Sequence, residues 1–528
     1  MKRILLLLFL LSIALPASAA RHTVIAVPSG TESDAVINTP GQYLGEIELR
    51  SARTVTLEEL TFAVSTPDLL NNIYLLDEDG VIVAGPVDAV SVDGFSGFQF
   101  SDPIQVPRGR SSYTLVGILS ASFVNGETFT VCPLPSETNH RYRGRHGWKD
   151  DVRVIVLPRR QCGPEITARS ASLTVSTDAS SPGLSVVAGG SSGVVVGVFN
   201  FRATYETIRL DRIGLKLAES AYPGDIGSVT LWDGTTQIGR AFFTGTNRTT
   251  SCVVLAGTSA ATIRPVIITV DSDKQIIVRA DLANIGIADP GRSGDIVKID
   301  YDDEHPESTF GTGLINGIRV HAAGSTDVVG VRMFRSYPTF AIDSLPPTGL
   351  ADGGLLRFKV TASPAGAVMF ARFGFHIEAE GVELHDVNLY GYTDPAYSQP
   401  IGGVNVGGQI GTSGIVLENN QRGTAFVYAS TRGHPSAVVV PAGATHYFEL
   451  RCGSVSPLAP TYIAAAALLG EETLSPPSTL TELGDEPGSF NFWSPLTPGL
   501  SGYNESDWFN TYGLPGLPSS GLIQVRSN

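Results

Sequence analysis

Cysteine is scarce: the 528 residues hold four, and no two stand in a CxxC pair, so zinc has no seat in this chain. The nine histidines are scattered without H-x-x-x-H or H-E-x-x-H spacing, which removes metalloprotease chemistry. Helical periodicity is missing as well. Beyond the first twenty residues no window carries apolar residues at helical spacing, and the N-terminal apolar stretch is shorter than the ~20 residues a membrane-spanning helix needs. Gly189–Gly193 matches G-x-S-x-G, but a nucleophile elbow requires a helix after the serine, and a β run, Val194–Val196, follows instead. His376 and the His385-Asp386 pair lack a nucleophile and read as strand and turn residues. No catalytic residue is assigned, and the chain reads as no enzyme.

What the chain has in quantity is turn residues and alternation. With 58 Gly, 33 Pro and 42% hydrophobic residues, strands of period two broken by Gly, Pro, Asn and Asp recur throughout. One strand cassette appears three times. Gly45–Arg50 followed by Val55–Phe62 recurs as Gly197–Arg202 followed by Ile208–Leu215, with Tyr205 as one extra residue, and more loosely as Leu356–Val360 followed by Met369–Phe375. Each copy continues with a hairpin candidate: Ile73–Val83, Val229–Ile238 and Val387–Tyr392, the first two turning at Asp79-Gly80 and Asp233-Gly234. A turn-fed strand closes each copy: Val106–Val116, Val270–Val278 and Val440–Leu450. Self-similarity at a period of about one domain means modules built alike, and such arrays hold, space or bind.

The expected fold is therefore all-β, a tandem array of three immunoglobulin-like antiparallel β-sandwich domains plus an extended aromatic C-terminal tail. The expected boundaries are 20–165, 166–337, 338–480 and a tail over 481–528. Lys2-Arg3, the apolar run Ile4–Leu15 and Ala17-Ser18-Ala19 read as a signal peptide over 1–19, implying a secreted, extracellular or cell-surface protein. Removal of Lys2 and Arg3 would take the formal charge from −15 to −17. No nucleic-acid partner is expected from so acidic a chain, and no transmembrane segment is expected in the mature one.

In an oxidising compartment Cys132 and Cys162 are expected to form a disulfide that pins a long polar loop, while Cys252 and Cys452 read as buried small hydrophobes. That loop is the candidate binding surface. It carries Arg141, Tyr142, Arg143, Arg145, His146, Trp148 and Lys149, then Arg153, Arg159 and Arg160. Arginine grips carboxylate, phosphate or sulfate bidentately, and Trp or Tyr stacks on sugar faces, which suits an anionic envelope glycan or an acidic patch on a neighbouring subunit. The plainer reading is a solvated loop whose charges offset nearby acids. No cofactor is expected apart from Ca2+: Asp77–Gly80, Asp271–Asp273 and especially Asp302, Asp303 and Glu304 offer hard oxygen ligands, though none has EF-hand spacing and Asp-Gly turns need no ion.

The tail is acidic over Glu482–Glu486 and then aromatic. Pro476-Pro477 and Pro495–Pro498 favour an extended arm, yet Phe492, Trp493, Trp508 and Phe509 are costly to leave in water, so the segment is expected to dock on the third module or on a neighbouring subunit. Asn491–Pro495, Asp507-Trp508 and Tyr512–Pro518, with Leu231–Gly234 and Ile277–Leu282, resemble the C-terminal signature and strand motifs of large secreted β-repeat surface proteins of candidate-phyla bacteria. The resemblance covers the second and third modules and the tail. It implies a surface-exposed structural protein and transfers no functional residue. Two functions follow: a secreted envelope or surface structural protein that self-associates, or an adhesin or glycan-binding protein acting through the basic aromatic loop.

Overall fold

The computed structural model describes residues 22–528 except 93–94, 136–140, 145–146, 151, 157–161, 219–220, 255–264, 403, 418–420, 430–437, 486–487 and 501–504. The described chain is almost entirely β. Its one α-helix, Leu480–Asp485, has six residues, and among the described residues no helix is long and apolar enough to cross a membrane.

Three sheets share one strand order. In the first stretch the order is His22–Ser29, Gln42–Ser51, Gly109–Leu119, Leu70–Leu76, Ile82–Val87. In the second it is Ser172–Thr177, Val194–Thr204, Asp273–Leu282, Ile226–Asp233, Thr236–Ala241. In the third it is Pro338–Ile342, Gly354–Ala362, Thr445–Arg451, Val382–Tyr392, Gln409–Leu417. Every neighbouring pair is antiparallel, and each time the closing strand inserts between the first cassette strand and the hairpin strand. The first two sheets also take a parallel strand on the outer side of their opening strand, Val152–Val156 and Arg319–Gly324 respectively.

Register repeats in finer detail. A one-residue slip between the first cassette strand and the closing strand falls at Leu44-Gly45, at Val196-Gly197 and at Leu355-Leu356. Such a bulge leaves one residue unpaired and increases local twist. Gly45 meets it with a φ of +125°, a conformation that only glycine adopts without strain.

The second cassette strand anchors a facing sheet. Leu60–Val64 pairs with Val131–Pro133 and Phe95–Phe100; in this copy Glu58-Glu59 interrupts the strand, and Val55–Leu57 pairs separately with Ile104–Val106. Ile208–Leu217 pairs with Thr249–Val253, Val266–Ile268, Ile299–Tyr301 and Phe310–Gly313. Val368–Glu380 pairs with Arg422–Tyr428, Val438–Val440, Ile463–Leu468 and Phe492–Ser494. Alternate side chains of facing sheets meet in buried clusters drawn from residues 24–168, from 173–333, and from 334–517 with Val186. This is the sandwich solution for sheets with one apolar face.

The C-terminal segment is not an extended arm. Leu522–Ser527 pairs antiparallel with Ile463–Leu468, so residues 469–521 form an excursion that leaves this sheet and returns to it. Burial of its aromatic side chains outweighs the extended preference of its prolines.

Candidate functional site

The basic segment forms a hairpin: Arg141–Gly144 pairs with Gly147–Asp150 in the register Arg141↔Asp150, Tyr142↔Lys149, Arg143↔Trp148. Arg145, His146, Arg159 and Arg160 lie outside the described residues. Cys132 and Cys162, on either side of the hairpin, are bonded to each other. Cys252 and Cys452 are free and buried, and burial pushes their thiols up to about 12 and about 11, the behaviour of small core hydrophobes.

Asp302, Asp303 and Glu304 do not converge on a common point. The Asp302 carboxylate is buried against His305 Nδ1 at 3.1 Å, whereas Asp303 and Glu304 both accept from Lys216 Nζ, the latter at 3.3 Å. Among the described residues no three His, Cys, Asp or Glu side chains come together as a metal-binding group. The Asp77–Gly80 carboxylates serve a turn, with Asp77 Oδ1 accepting the Asp79 and Val81 amides at 3.0 and 2.9 Å. The Gly189–Gly193 segment links two strands, Ser185–Ala188 and Val194–Thr204, with Gly190 and Gly193 at positive φ and Gly193 N donating to Asp281 Oδ1 at 2.9 Å. His376 and His385 sit on strands of two different sheets, beside Glu378 (3.2 Å) and Glu383 (3.5 Å).

The tail aromatics build a seam. The strand Val331–Phe334 alternates between two cores: Val331 and Met333 belong to the second cluster, Phe334 to the third. The Phe334 ring packs edge-on against Trp493 (4.8 Å between centroids) and Phe509 (4.9 Å). Trp493 Nε1 donates to Asn510 O at 2.8 Å, and Trp493 and Phe509 exchange backbone hydrogen bonds. Phe492 and Trp508 fill a smaller cluster with Met369, Ala371, Leu480 and Leu483, which buries the six-residue helix against the sheet.

Buried charge marks the same region, and the sequence reading missed it. Arg332 lies over the rings of Phe334 (4.9 Å) and Phe509 (5.3 Å) and donates to Gly294 O at 3.2 Å and Ser475 O at 2.6 Å. Burial lowers its guanidinium to about 10. Arg372 stacks on Phe492 at 3.6 Å and donates to Ser489 O and Phe490 O. Glu471 accepts the Phe490 and Asn491 amides at 2.7 and 2.9 Å, yet burial still raises its carboxyl to about 7. Burial likewise raises both carboxyls of the adjacent Asp225–Asp295 pair. The available signal is a cation inside an apolar run, Val331-Arg-Met-Phe334 and Phe370-Ala-Arg-Phe373, where a solvated strand would alternate.

No protein-family model matches the chain, and no curated protein does. Solved structures similar to it include a chain of a cohesin–dockerin complex from Clostridium thermocellum, 13% identical, spanning 29% of this chain and 99% of that one, with a TM-score of 0.17. A structure named BspA_C_WT is 9% identical over 59% of this chain and 99% of its own, with a TM-score of 0.18. A tetra-tandem repeat from the extending region of a large adhesion protein is 11% identical over 85% of this chain and 70% of that one, with a TM-score of 0.12.

Proposed function

We propose that the chain is a secreted structural protein of the cell surface or envelope, without catalytic activity, in which three sandwich modules act as a stiff spacer between an N-terminal basic hairpin and a C-terminal sheet. The observation that carries this reading is the seam. A strand whose alternate side chains enter two neighbouring cores leaves little freedom between the second and third modules, which suits holding distance rather than moving during turnover. The motif resemblance of the tail points the same way. Asp302, Asp303 and Glu304 are held by His305 and Lys216, and the Gly189–Gly193 segment is a turn between two strands, so no reaction is assigned to them.

Small-angle scattering and sedimentation velocity on the mature chain test the reading. An elongated particle that self-associates at micromolar concentration is expected; a compact particle that stays monomeric overturns it. A second reading, an adhesin that takes anionic glycan, rests on the basic and aromatic composition of the 141–150 hairpin. A monomer retained on a sulfated or uronate-rich glycan, and released by salt, would favour that reading. Immunogold labelling of intact cells tests the surface location common to both.

A further inference from the structure

One sheet edge of the third module stands open where comparable edges are covered. The opening strands His22–Ser29 and Ser172–Thr177 take a parallel partner on their outer side, and Pro338–Ile342 gives Phe340 N to Pro515 O at 2.8 Å. Ile82–Val87, at the far edge of the first sheet, carries Pro86 and gives Gly85 N to Asp102 Oδ2 at 2.8 Å. Proline, side-chain partners and added strands are the usual means of blunting an edge. Leu522–Ser527 has none of them among the described residues, and it is the outermost strand of its sheet, beyond Ile463–Leu468.

Register decides which of its groups face outward. Asn528 N donates to Tyr462 O at 3.2 Å, so the antiparallel ladder engages the backbones of Arg526, Gln524 and Leu522 in turn, and those of Ile523, Val525 and Ser527 point away from the sheet. Among the described residues nothing takes the N–H or C=O of Ile523 or Val525. Their side chains are 53% and 58% exposed, beside Ile463 at 39% on the neighbouring strand. The strand's single charge turns inward: Arg526 donates to Pro346 O at 2.9 Å, to Gly349 O, and to the Asp352 carboxylate at 3.1 Å. That grip brings Gly349 against the end of the strand, where a β-carbon would stand 3.1 Å from Ser527 O. The open stretch is therefore 523–525, with two outward N–H and two outward C=O groups between a pair of β-branched side chains.

We propose that this edge pairs with the same edge of a second copy of this chain, antiparallel about a two-fold axis at Gln524. The proposal deepens the structural reading and rests on it. Strands related in this way set Ile523 opposite the partner's Val525 twice, and each such pair exchanges two hydrogen bonds, so four bonds satisfy every open group of both copies. A second copy fits because the open groups match themselves in number and spacing. No like charges meet across the axis, since Arg526 is turned inward, and Ile523 and Val525 meet as cross-strand β-branched pairs. The contact is isologous, so it closes as a dimer through the third modules and leaves both first modules free. One short strand edge is small beside a standard interface of ~1,600 Å², which makes the association reversible.

Sedimentation velocity and cysteine crosslinking on the full mature chain test it. The wild type is expected to show a concentration-dependent monomer–dimer equilibrium with no larger species. The double variant Ile523→Lys, Val525→Lys changes only exposed side chains, and it is expected to keep the wild-type melting curve and to dimerise at least about tenfold more weakly. Register is read separately. Chains carrying Ile523→Cys and chains carrying Val525→Cys are expected to form disulfide-linked dimers when mixed, and far fewer when each is oxidised alone, because pairing sets 523 opposite 525; Cys252 and Cys452 are buried and do not compete. A wild type that stays monomeric at micromolar concentration removes the structural reading itself. A wild type that associates while the double-lysine variant associates equally well leaves that reading standing and overturns this edge. Assembly beyond a dimer overturns the two-fold closure. Crosslinking as fast in each cysteine variant alone as in the mixture overturns the strand pairing, and it decides the matter if the lysine variant melts lower than the wild type.

Discussion

At the scale of single residues, the second–third seam depends on buried charge held by backbone carbonyls and aromatic faces. Arg332 has both kinds of partner, and its removal leaves Gly294 O and Ser475 O without their donor beside two rings. Arg332→Ala is expected to destabilise the protein by about 3 kcal/mol, read from urea denaturation, because breaking a buried charged network costs more than losing a surface pair. Glu471 gives the seam a pH dependence of definite sign. In the native state its carboxyl holds a proton up to about pH 7, against a reference value of 4.5, so between these values the folded form binds more protons than the unfolded one. Its contribution is full below 4.5 and disappears as pH rises through 7, a change on the order of 3 kcal/mol. Melting temperature should accordingly fall from pH 5 to pH 8 by less in Glu471→Gln than in the wild type. An identical slope in the two proteins would show that the dependence arises elsewhere, for instance in the net charge. Arg332 is signalled only by its place inside the apolar run Val331–Phe334, and Glu471 by nothing in composition or spacing, since burial of a charge is a property of its neighbours in space.

At the scale of elements, the sequence was most legible where local chemistry repeats. The three cassettes become the three pairs formed by a first cassette strand and the strand that anchors the facing sheet; Asp233-Gly234 closes the Ile226–Asp233 and Thr236–Ala241 hairpin as its turn chemistry demands. Val387–Tyr392, by contrast, is part of one eleven-residue strand and not a complete tight hairpin, because no Asp-Gly step follows it. Strand partners far apart in sequence were not legible. Nothing in Leu522–Ser527 specifies Ile463–Leu468 as its neighbour, and the prolines around it favour an extended chain locally while the aromatics between are buried globally. The disulfide falls between these cases: oxidising context and spacing suggested Cys132–Cys162, and the geometry closes it across a sequence separation of 30. A bridge over that separation stabilises by about 3.5 kcal/mol through the restricted unfolded chain. Cys162→Ser is expected to lower the stability of the first module by about that amount while leaving the rest of the chain unaffected. Non-reducing peptide mapping that linked Cys132 to Cys252 or Cys452 would contradict the premise.

At the scale of the molecule, coupling between modules follows from where side chains cross. The first and second stretches adjoin at the strand Ile166–Arg169: Ile166 and Ala168 belong to the first cluster, and the Arg169 guanidinium lies over the Tyr205 ring of the second stretch at 5.9 Å. An exposed contact of this kind contributes little, about 0.5–1 kcal/mol. The second and third share Phe334, Trp493, Phe509 and Arg332, so neither can unfold without exposing the other's core. Scanning calorimetry should therefore show two transitions, one for the first module and one joint transition for the strands from Ser172–Thr177 onwards. Phe334→Ala removes the shared ring at a cost of about 3–5 kcal/mol and is expected to split the joint transition in two. Deletion of residues 485–528 acts more severely. It removes Trp493, Trp508 and Phe509 together with the strand Leu522–Ser527, which opens the third core and strips an edge strand from its second sheet. Loss of a cooperative transition for the third module is expected, accompanied by a lower melting temperature for the second. A truncated chain that kept the wild-type melting profile would mean that the excursion lies on the sandwich without contributing to it, contrary to the burial of its aromatic side chains.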